Sequence, residues 1–351
     1  MRRCYILGSG FSKAVSNLPV MKDLAKTFWD IRNQEIQLGH NNRVAWGDRI
    51  RDYMQYLETE FFVKPCIDTE NGETYKECNF QENLEALISF IDLNTSGEIR
   101  ARLIDKNGNT SSYSKRSLFW NFTDLDELRL CIQTYIYLAL IKPETQNDVL
   151  EPFLKKIESD DQIITFNYDL IIEKALFNMG IWKPKDGYGI DFKDFPSITE
   201  SHDIESRVQI YKLHGSLNWK SDLKLRFFYD DNESIFPGYL QDGSNYPQYQ
   251  GRHSGLWMLP SFIKQFTVPE LIGVWERAFA AIKDSDEIVV IGYSLPEGDS
   301  ATRLLLGTTG LSEKRLIIVD PDDQLKYKYK NITSNQYIEQ YDSIEDFVNW
   351  T

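Results

Sequence analysis

Cys4-Tyr5-Ile6-Leu7-Gly8-Ser9-Gly10-Phe11-Ser12 is a short apolar run that breaks into a glycine-serine turn. A parallel strand buried on both faces has no need to alternate apolar with polar residues, so a continuous apolar run is its signature. A glycine turn at the carboxyl end of a first strand can bring backbone N–H groups against a pyrophosphate, which suggests a dinucleotide ligand. The third glycine of the usual G-x-G-x-x-G is absent, and G-x-G by itself occurs in many turns.

Working outward, the same pattern returns at residues 162–166, 209–213, Glu287–Ile291 and Arg315–Val319, with residues 337–340 as a sixth strand. Each run ends in a polar or glycine-containing turn, and several are followed by helical spacing. This predicts an α/β fold with a doubly wound parallel sheet. About 150 residues separate the first two strands, far more than a single crossover helix requires. The interval carries three- and four-residue apolar spacing over Met21–Ile31 and residues 44–61, 83–91, 118–140 and 149–157. The expected organisation is therefore a sheet domain of residues 1–20 and 160–351 interrupted by a large helical module of residues 21–159. Residues 105–117, 183–207 and 230–255 read as loops, the last two as long surface loops rich in Gly, Pro, Asn and Asp.

The chemistry-bearing residues fall at strand ends. Thr165-Phe166-Asn167-Tyr168-Asp169 closes the second strand, where open α/β sheets place side chains that contact ligands. Asn167 and Asp169 are equally suited to a turn or to capping the helix that starts near Leu170. Leu213-His214-Gly215-Ser216 closes the third strand, and a histidine there can act as acid, base or hydroxyl partner near neutral pH. His40, His202 and His253 have no such setting and are expected to be exposed. Gly292-Tyr293-Ser294-Leu295 follows the fourth strand. Asp320 follows the fifth, either as a turn residue before Pro321 or as the acid that reads ribose hydroxyls and so favours NAD over NADP.

These five elements resemble, in order, the motifs of the sirtuin superfamily. Gly8-Ser9-Gly10-Phe11-Ser12 is similar to the G-A-G-x-S loop, and Thr165 to Asp169 is similar to T-Q-N-x-D. His214-Gly215 matches H-G, and Gly292 to Leu295 is similar to G-T-S-L. Where deacylases carry G-I-P-D-F-R, this chain has Asn17-Leu18-Pro19-Val20-Met21, and it lacks the paired cysteines of their zinc module. The departures align it with the sirtuin-like NAD glycohydrolases of bacterial antiphage defence. Leu259-Pro260-Ser261, Lys264 and Trp275 are similar to that branch as well.

The resemblance implies a Rossmann-like fold with NAD as substrate and no metal. Asn167, His214 and Asp169 would be catalytic: Asn167 holding water and a ribose hydroxyl, His214 engaging the ribose hydroxyls as base, Asp169 meeting the carboxamide. Gly8, Ser9, Gly10, Phe11, Ser12, Gly292, Ser294 and Asp320 would bind the adenosine half. Products would be nicotinamide and ADP-ribose, made by an abortive-infection effector that assembly or a partner protein switches on. A homo-oligomer is implied, with an ATPase or nucleic-acid-guided protein as a possible partner. Aromatic helical residues such as Phe119, Trp120, Tyr135 and Tyr137 are candidates for a subunit contact, although packing within one domain explains them equally. Deacylation, ADP-ribose transfer to protein, and a noncatalytic NAD or ADP-ribose sensor are the alternatives.

Composition narrows the classes. A formal charge of −14 across 351 residues opposes nonspecific attraction to phosphate backbones, so no direct nucleic-acid ligand is expected. No apolar run approaches the roughly 20 residues of a membrane span. Met1-Arg2-Arg3 and the brief strand after it do not read as a secretory signal, and a cytoplasmic protein is expected. Cys4, Cys66, Cys78 and Cys131 are scattered, which predicts reduced thiols rather than disulfides or a zinc ribbon.

Overall fold

A computed structural model of the chain describes residues 1–31, 65–67, 74–76, 84–95, 129, 132–133, 135–136, 139–140, 146–190, 205–222, 227–229, 253–261, 269–296 and 298–350. Six parallel strands form the main sheet: β1 (Arg3–Leu7), β2 (Gln162–Thr165), β3 (Gln209–Lys212), β4 (Glu287–Ile291), β5 (Arg315–Val319) and β6 (Ile338–Tyr341). Their spatial order is β3-β2-β1-β4-β5-β6, the doubly wound order in which the chain reverses direction beside β1.

The apolar runs become strands because both faces are covered. Every residue of β4 and all but the first of β1 and β5 are buried. Side chains such as Ile6, Leu7, Val289 and Ile317 are at most 1% exposed, each contributing roughly 1.5–3 kcal/mol by leaving water. Helix Pro269–Asp284 buries Leu271, Val274, Ala278 and Ile282, a three- and four-residue stripe. Helix Ser9–Ser16 stops at Asn17, whose left-handed backbone lets its N–H donate to the Lys13 carbonyl at 2.9 Å.

The chain divides into two compact units, Met1–Val20 with Leu140–Met258 and Gln265–Thr351, and Met21–Ala139 with Leu259–Lys264. Helix Asn147–Leu154, expected in the insert, packs with the sheet instead. Its Phe153 meets Tyr5 and Phe11 edge-on at 5.5 and 5.2 Å. In the second unit, helix Leu84–Thr95 buries Leu84, Leu87, Ile88 and Ile91, and Ser89 shares a hydrogen bond with Ser261 at 3.2 Å. The Tyr135 hydroxyl donates to the Leu24 carbonyl.

Some expectations needed correction. The insert also holds a short antiparallel pair, Pro65–Ile67 with Thr74–Lys76. Directly after His214, strands Gly215–Asp222, Phe227–Tyr229 and His253–Trp257 form an antiparallel sheet, so residues 253–255 are strand rather than loop. The start of the expected surface loop 183–207 is a helical turn, Pro184–Gly187, beside buried Tyr188, which meets the indole of Trp182 edge-on. The expected helix 44–61, loop 105–117, His40, His202, Cys78, Cys131, Phe119, Trp120, Tyr137 and Lys264 lie outside the described residues. Among the described residues, no helix is long and apolar enough to cross a membrane.

Candidate active site

Register brings the strand ends level. Lys212 pairs with Thr165, Thr165 with Leu7, Leu7 with Ile291, Ile291 with Val319, and Val319 with Tyr341. One transverse row therefore precedes the turns carrying His214, Asn167, Gly8, Gly292 and Asp320. The turns after β1 and β4 flank the point of reversal, where a crevice opens outside the carboxyl ends of an open sheet.

The glycines at this point serve backbone packing. Gly8 donates its N–H to the Ile291 carbonyl at 3.0 Å, and Gly10 donates to the Gly292 carbonyl at 2.9 Å. A Cβ on Gly8 would lie 2.4 Å from the Gly292 oxygen, and one on Gly10 would lie 2.7 Å from the Gly292 Cα. Gly292 itself has φ +61°, and a Cβ there would meet the Phe11 nitrogen at 2.3 Å. The two turns are thus locked together, and helix Ser9–Ser16 starts from this floor. Gly8 supplies no side-chain cap; backbone carbonyls do that work instead, Gly292 accepting the Gly10 N–H and Gly8 accepting the Phe11 N–H at 3.0 Å.

Asn167 is held over that floor. Its Nδ2 donates to the Gly8 carbonyl and to the Ser12 Oγ, both at 2.8 Å. A carbonyl can only accept, which fixes the amide's orientation and leaves Oδ1 without a protein partner among the described residues. The Ser12 hydroxyl donates to Asp169 Oδ2 at 2.7 Å, and Asp169 Oδ1 accepts the Ile171 N–H at 3.2 Å. Both Ser12 and Asp169 are buried. Asp169 therefore accepts the first amide of helix Ile171–Asn178, whose N-cap is Leu170, and supports Asn167 through Ser12, so both its oxygens are engaged.

The His214 backbone is tied on several sides. The Leu213 N–H donates to the Thr165 carbonyl, Trp275 Nε1 donates to the Leu213 carbonyl, and the Met258 N–H donates to the His214 carbonyl, at 3.0, 3.0 and 2.8 Å. Tyr168 donates its hydroxyl to the Met258 carbonyl, joining this clamp to the turn after β2. Gly215 takes a left-handed conformation, φ +80°, that turns the chain away behind the histidine. The imidazole packs 5.3 Å from the Phe166 ring, which stacks on Tyr293 at 4.1 Å. His214 Nε2 lies 4.0 Å from Asp299 Oδ2, and Tyr293 donates its hydroxyl to the same oxygen at 2.6 Å. Burial, reinforced by the Asp299 charge, pushes the Tyr293 hydroxyl far above its usual range.

On the outer side, Ser294 is exposed. Asp320 is half-buried, and its Oδ1 accepts the Asp322 N–H at 3.0 Å. Burial raises the Asp320 carboxyl while that hydrogen bond opposes the rise. Among the described residues, no three His, Cys, Asp or Glu side chains are grouped as metal ligands.

Several residues at the site escaped the sequence reading. Lys212 is fully buried, and its Nζ donates to Glu173 Oε1 at 2.6 Å and to the Asp169 carbonyl at 2.5 Å. It thereby ties the strand bearing His214 to the loop bearing Asn167. A lysine inside an otherwise apolar strand was the available signal. Asp299, Phe166 and Tyr168 had none beyond proximity to motifs, and Trp275 acts as a backbone clamp.

Strand order, the crevice at the reversal, and Asn167 and His214 at adjacent strand ends define a doubly wound α/β protein with a candidate ligand site at the carboxyl ends of its strands. Residues 161–246 match the SIR2-like domain family, a span that includes Asn167, Asp169 and His214. No curated protein matches the chain. Among solved structures, a SIR2 homolog–NAD complex is similar at 11% identity over 99% of this chain and 87% of the other, with a TM-score of 0.44. A Sir2–p53 peptide–NAD+ complex is similar at 11% identity over 99% and 91%, with a TM-score of 0.37. Sir2 bound to an acetylated peptide is similar at 14% identity over 65% and 78%, with a TM-score of 0.35.

Proposed function

We propose that the chain is an NAD glycohydrolase, which binds NAD across the strand-end crevice and hydrolyses its nicotinamide–ribose bond. The observation that carries this reading is Asn167, oriented by Gly8 and Ser12 with Oδ1 uncommitted, beside the strand end that bears His214. The close-packed turn of Gly8, Ser9 and Gly10 on the Gly292 floor leaves backbone rather than side chains to approach the pyrophosphate, with Phe11 and Ser12 shaping that loop from behind. Ser294 and Asp320 suit the adenosine ribose. The glycosidic C–N bond breaks with its electron pair passing to the cationic nicotinamide ring, and water forms the new C–O bond. Preorganised polar groups suffice to stabilise the oxocarbenium-like centre, so the mechanism uses no metal. His214 accepts the proton released by water or a ribose hydroxyl. Asp169 supports Asn167 through Ser12.

The test is turnover of etheno-NAD by the purified chain in EDTA, with nicotinamide and ADP-ribose identified as products. Turnover with no free ADP-ribose, or none without an acyl-lysine peptide, would overturn the reading. Asp320 carries a further expectation: its carboxylate, with Asp322 beside it, repels a 2′-phosphate. NAD is expected to exceed NADP in kcat/KM by at least about 10-fold, and Asp320→Ala to narrow the gap. Equal use of both dinucleotides by the unaltered protein would remove Asp320 from ribose recognition.

The biological role that fits is abortive-infection antiphage defence by NAD depletion, with activity gated by homo-oligomerisation or by an ATPase or nucleic-acid-guided partner. An ungated hydrolase would drain a shared cofactor. Turnover per subunit is therefore expected to rise with protein concentration or on adding a partner, in step with mass by light scattering. A monomer with constant high specific activity at every dilution would refute the gating.

A further inference from the structure

From the placement of its carboxylate, we infer that Asp299 is the positioning and charge-balancing partner of His214. Asp299 is 3% exposed and lies at the head of helix Ser300–Thr308, where its Oδ1 accepts the Thr302 N–H at 3.3 Å. Capping uses that oxygen alone. The other, Oδ2, turns back toward the crevice, accepts the Tyr293 hydroxyl and stands 4.0 Å from His214 Nε2. A cap requires only one acceptor and no charge, and it would be met equally by Asn or Ser. A carboxylate facing an imidazole in a buried site favours the protonated ring and orients the neutral one.

With Nε2–H toward Asp299, the lone pair of Nδ1 is the basic site. On the NAD-cleavage reading, on which this step rests, the O–H bond of a ribose hydroxyl or water breaks as the Nδ1–H bond forms. The ring becomes cationic against the Asp299 carboxylate, and the proton then leaves to solvent. The titratable groups from other elements that face the ring include Asp299, Tyr293 on the turn after β4 and Tyr168 on the turn after β2. Lys212, on the histidine's own strand, spends its ammonium on Glu173 and the Asp169 carbonyl.

The pairing is tested without substrate by NMR titration of the His214 ring in the intact chain, whose four histidines permit assignment by a His214 variant. Asp299→Asn keeps an acceptor for the cap and removes the charge, and is expected to lower the His214 pKa by about one unit or more. Tyr293→Phe withdraws the hydroxyl that competes for Oδ2, and is expected to raise it. Opposite signs are the signature, because loosened packing alone would not produce them. A His214 pKa moved by less than about 0.3 units in both variants overturns the inference, and if Asp299→Asn fails to fold, an unmoved value in Tyr293→Phe does so. In turnover assays, Asp299→Asn should lower kcat at least about 10-fold with KM little changed, and shift the acid limb of the profile to lower pH. Absence of turnover in the unaltered protein with both pKa shifts present would reject NAD cleavage and leave the pairing standing.

Discussion

Asn167→Ala and His214→Ala are each expected to reduce NAD cleavage by at least about 10²-fold in a chain that remains folded. Asn167 is half-buried at a turn, and truncating it removes two donated hydrogen bonds and the uncommitted Oδ1 while leaving the strands intact. The lost bonds cost stability on the order of 1 kcal/mol each, a modest loss for a sheet of six strands. Asn167→Asp should fail for a different reason: a carboxylate cannot donate to the Gly8 carbonyl, so the group must turn away from it. His214 is held through its backbone by Trp275 and Met258, so removing the imidazole leaves that clamp in place. Circular dichroism and a melting curve establish the fold, and single-turnover assays read the chemistry. A folded variant with near-normal turnover means that its residue has been given the wrong role.

Lys212→Met should produce the largest loss of stability, about 3–5 kcal/mol. Both members of the Lys212–Glu173 pair are fully buried, and Glu173 Oε2 already lacks a partner among the described residues. Without the ammonium, an uncompensated carboxylate remains in the core and the Asp169 carbonyl loses its donor. Burial already raises the Glu173 carboxyl against the opposing pull of Lys212, and the substitution removes that pull. A group whose folded pKa is raised contributes stability below its unfolded pKa and loses it as pH rises through the folded value. The deficit of Lys212→Met is therefore smallest below the usual Glu range and grows toward neutral pH. Replacing both residues with apolar ones, Lys212→Met with Glu173→Leu, should recover much of the loss. Urea unfolding at pH 5 and pH 8 measures both effects. A single variant as stable as the parent at pH 8 would show that the pair contributes nothing.

The sheet was legible because a parallel strand covered on both faces has only one pattern available, a short continuous apolar run. Glu287–Ile291 and Arg315–Val319 fall where that pattern places them. The antiparallel sheet after His214 was not legible: its first strand begins at a glycine that reads as a turn, its second is only three residues long, and its third stands in a polar stretch that reads as a loop. Residues 149–157 have the spacing of a helix, but spacing cannot say which core receives it, and Phe153 goes to Tyr5 and Phe11. Within the site, residues at strand ends were visible because topology alone gathers them. Asp299 lies seven residues beyond Gly292 in a segment that reads as a turn and a cap, and nothing local marks its second oxygen. Lys212 was hidden by the rule that lysines belong at the surface, which a fully buried partner such as Glu173 overrides.

The glycine contacts between the turns after β1 and β4 bear on how the crevice receives a ligand. With Gly8, Gly10 and Gly292 at backbone contact, neither turn can shift without the other, and no side chain lies between them to repack. The residue after Gly292 is Tyr293, whose hydroxyl reaches Asp299. Any displacement where the pyrophosphate would bind is therefore passed along one covalent step to the neighbourhood of the histidine. On the proposed reading, ligand binding would thus be felt at the histidine through the base of the crevice, while finer adaptation would fall to its walls.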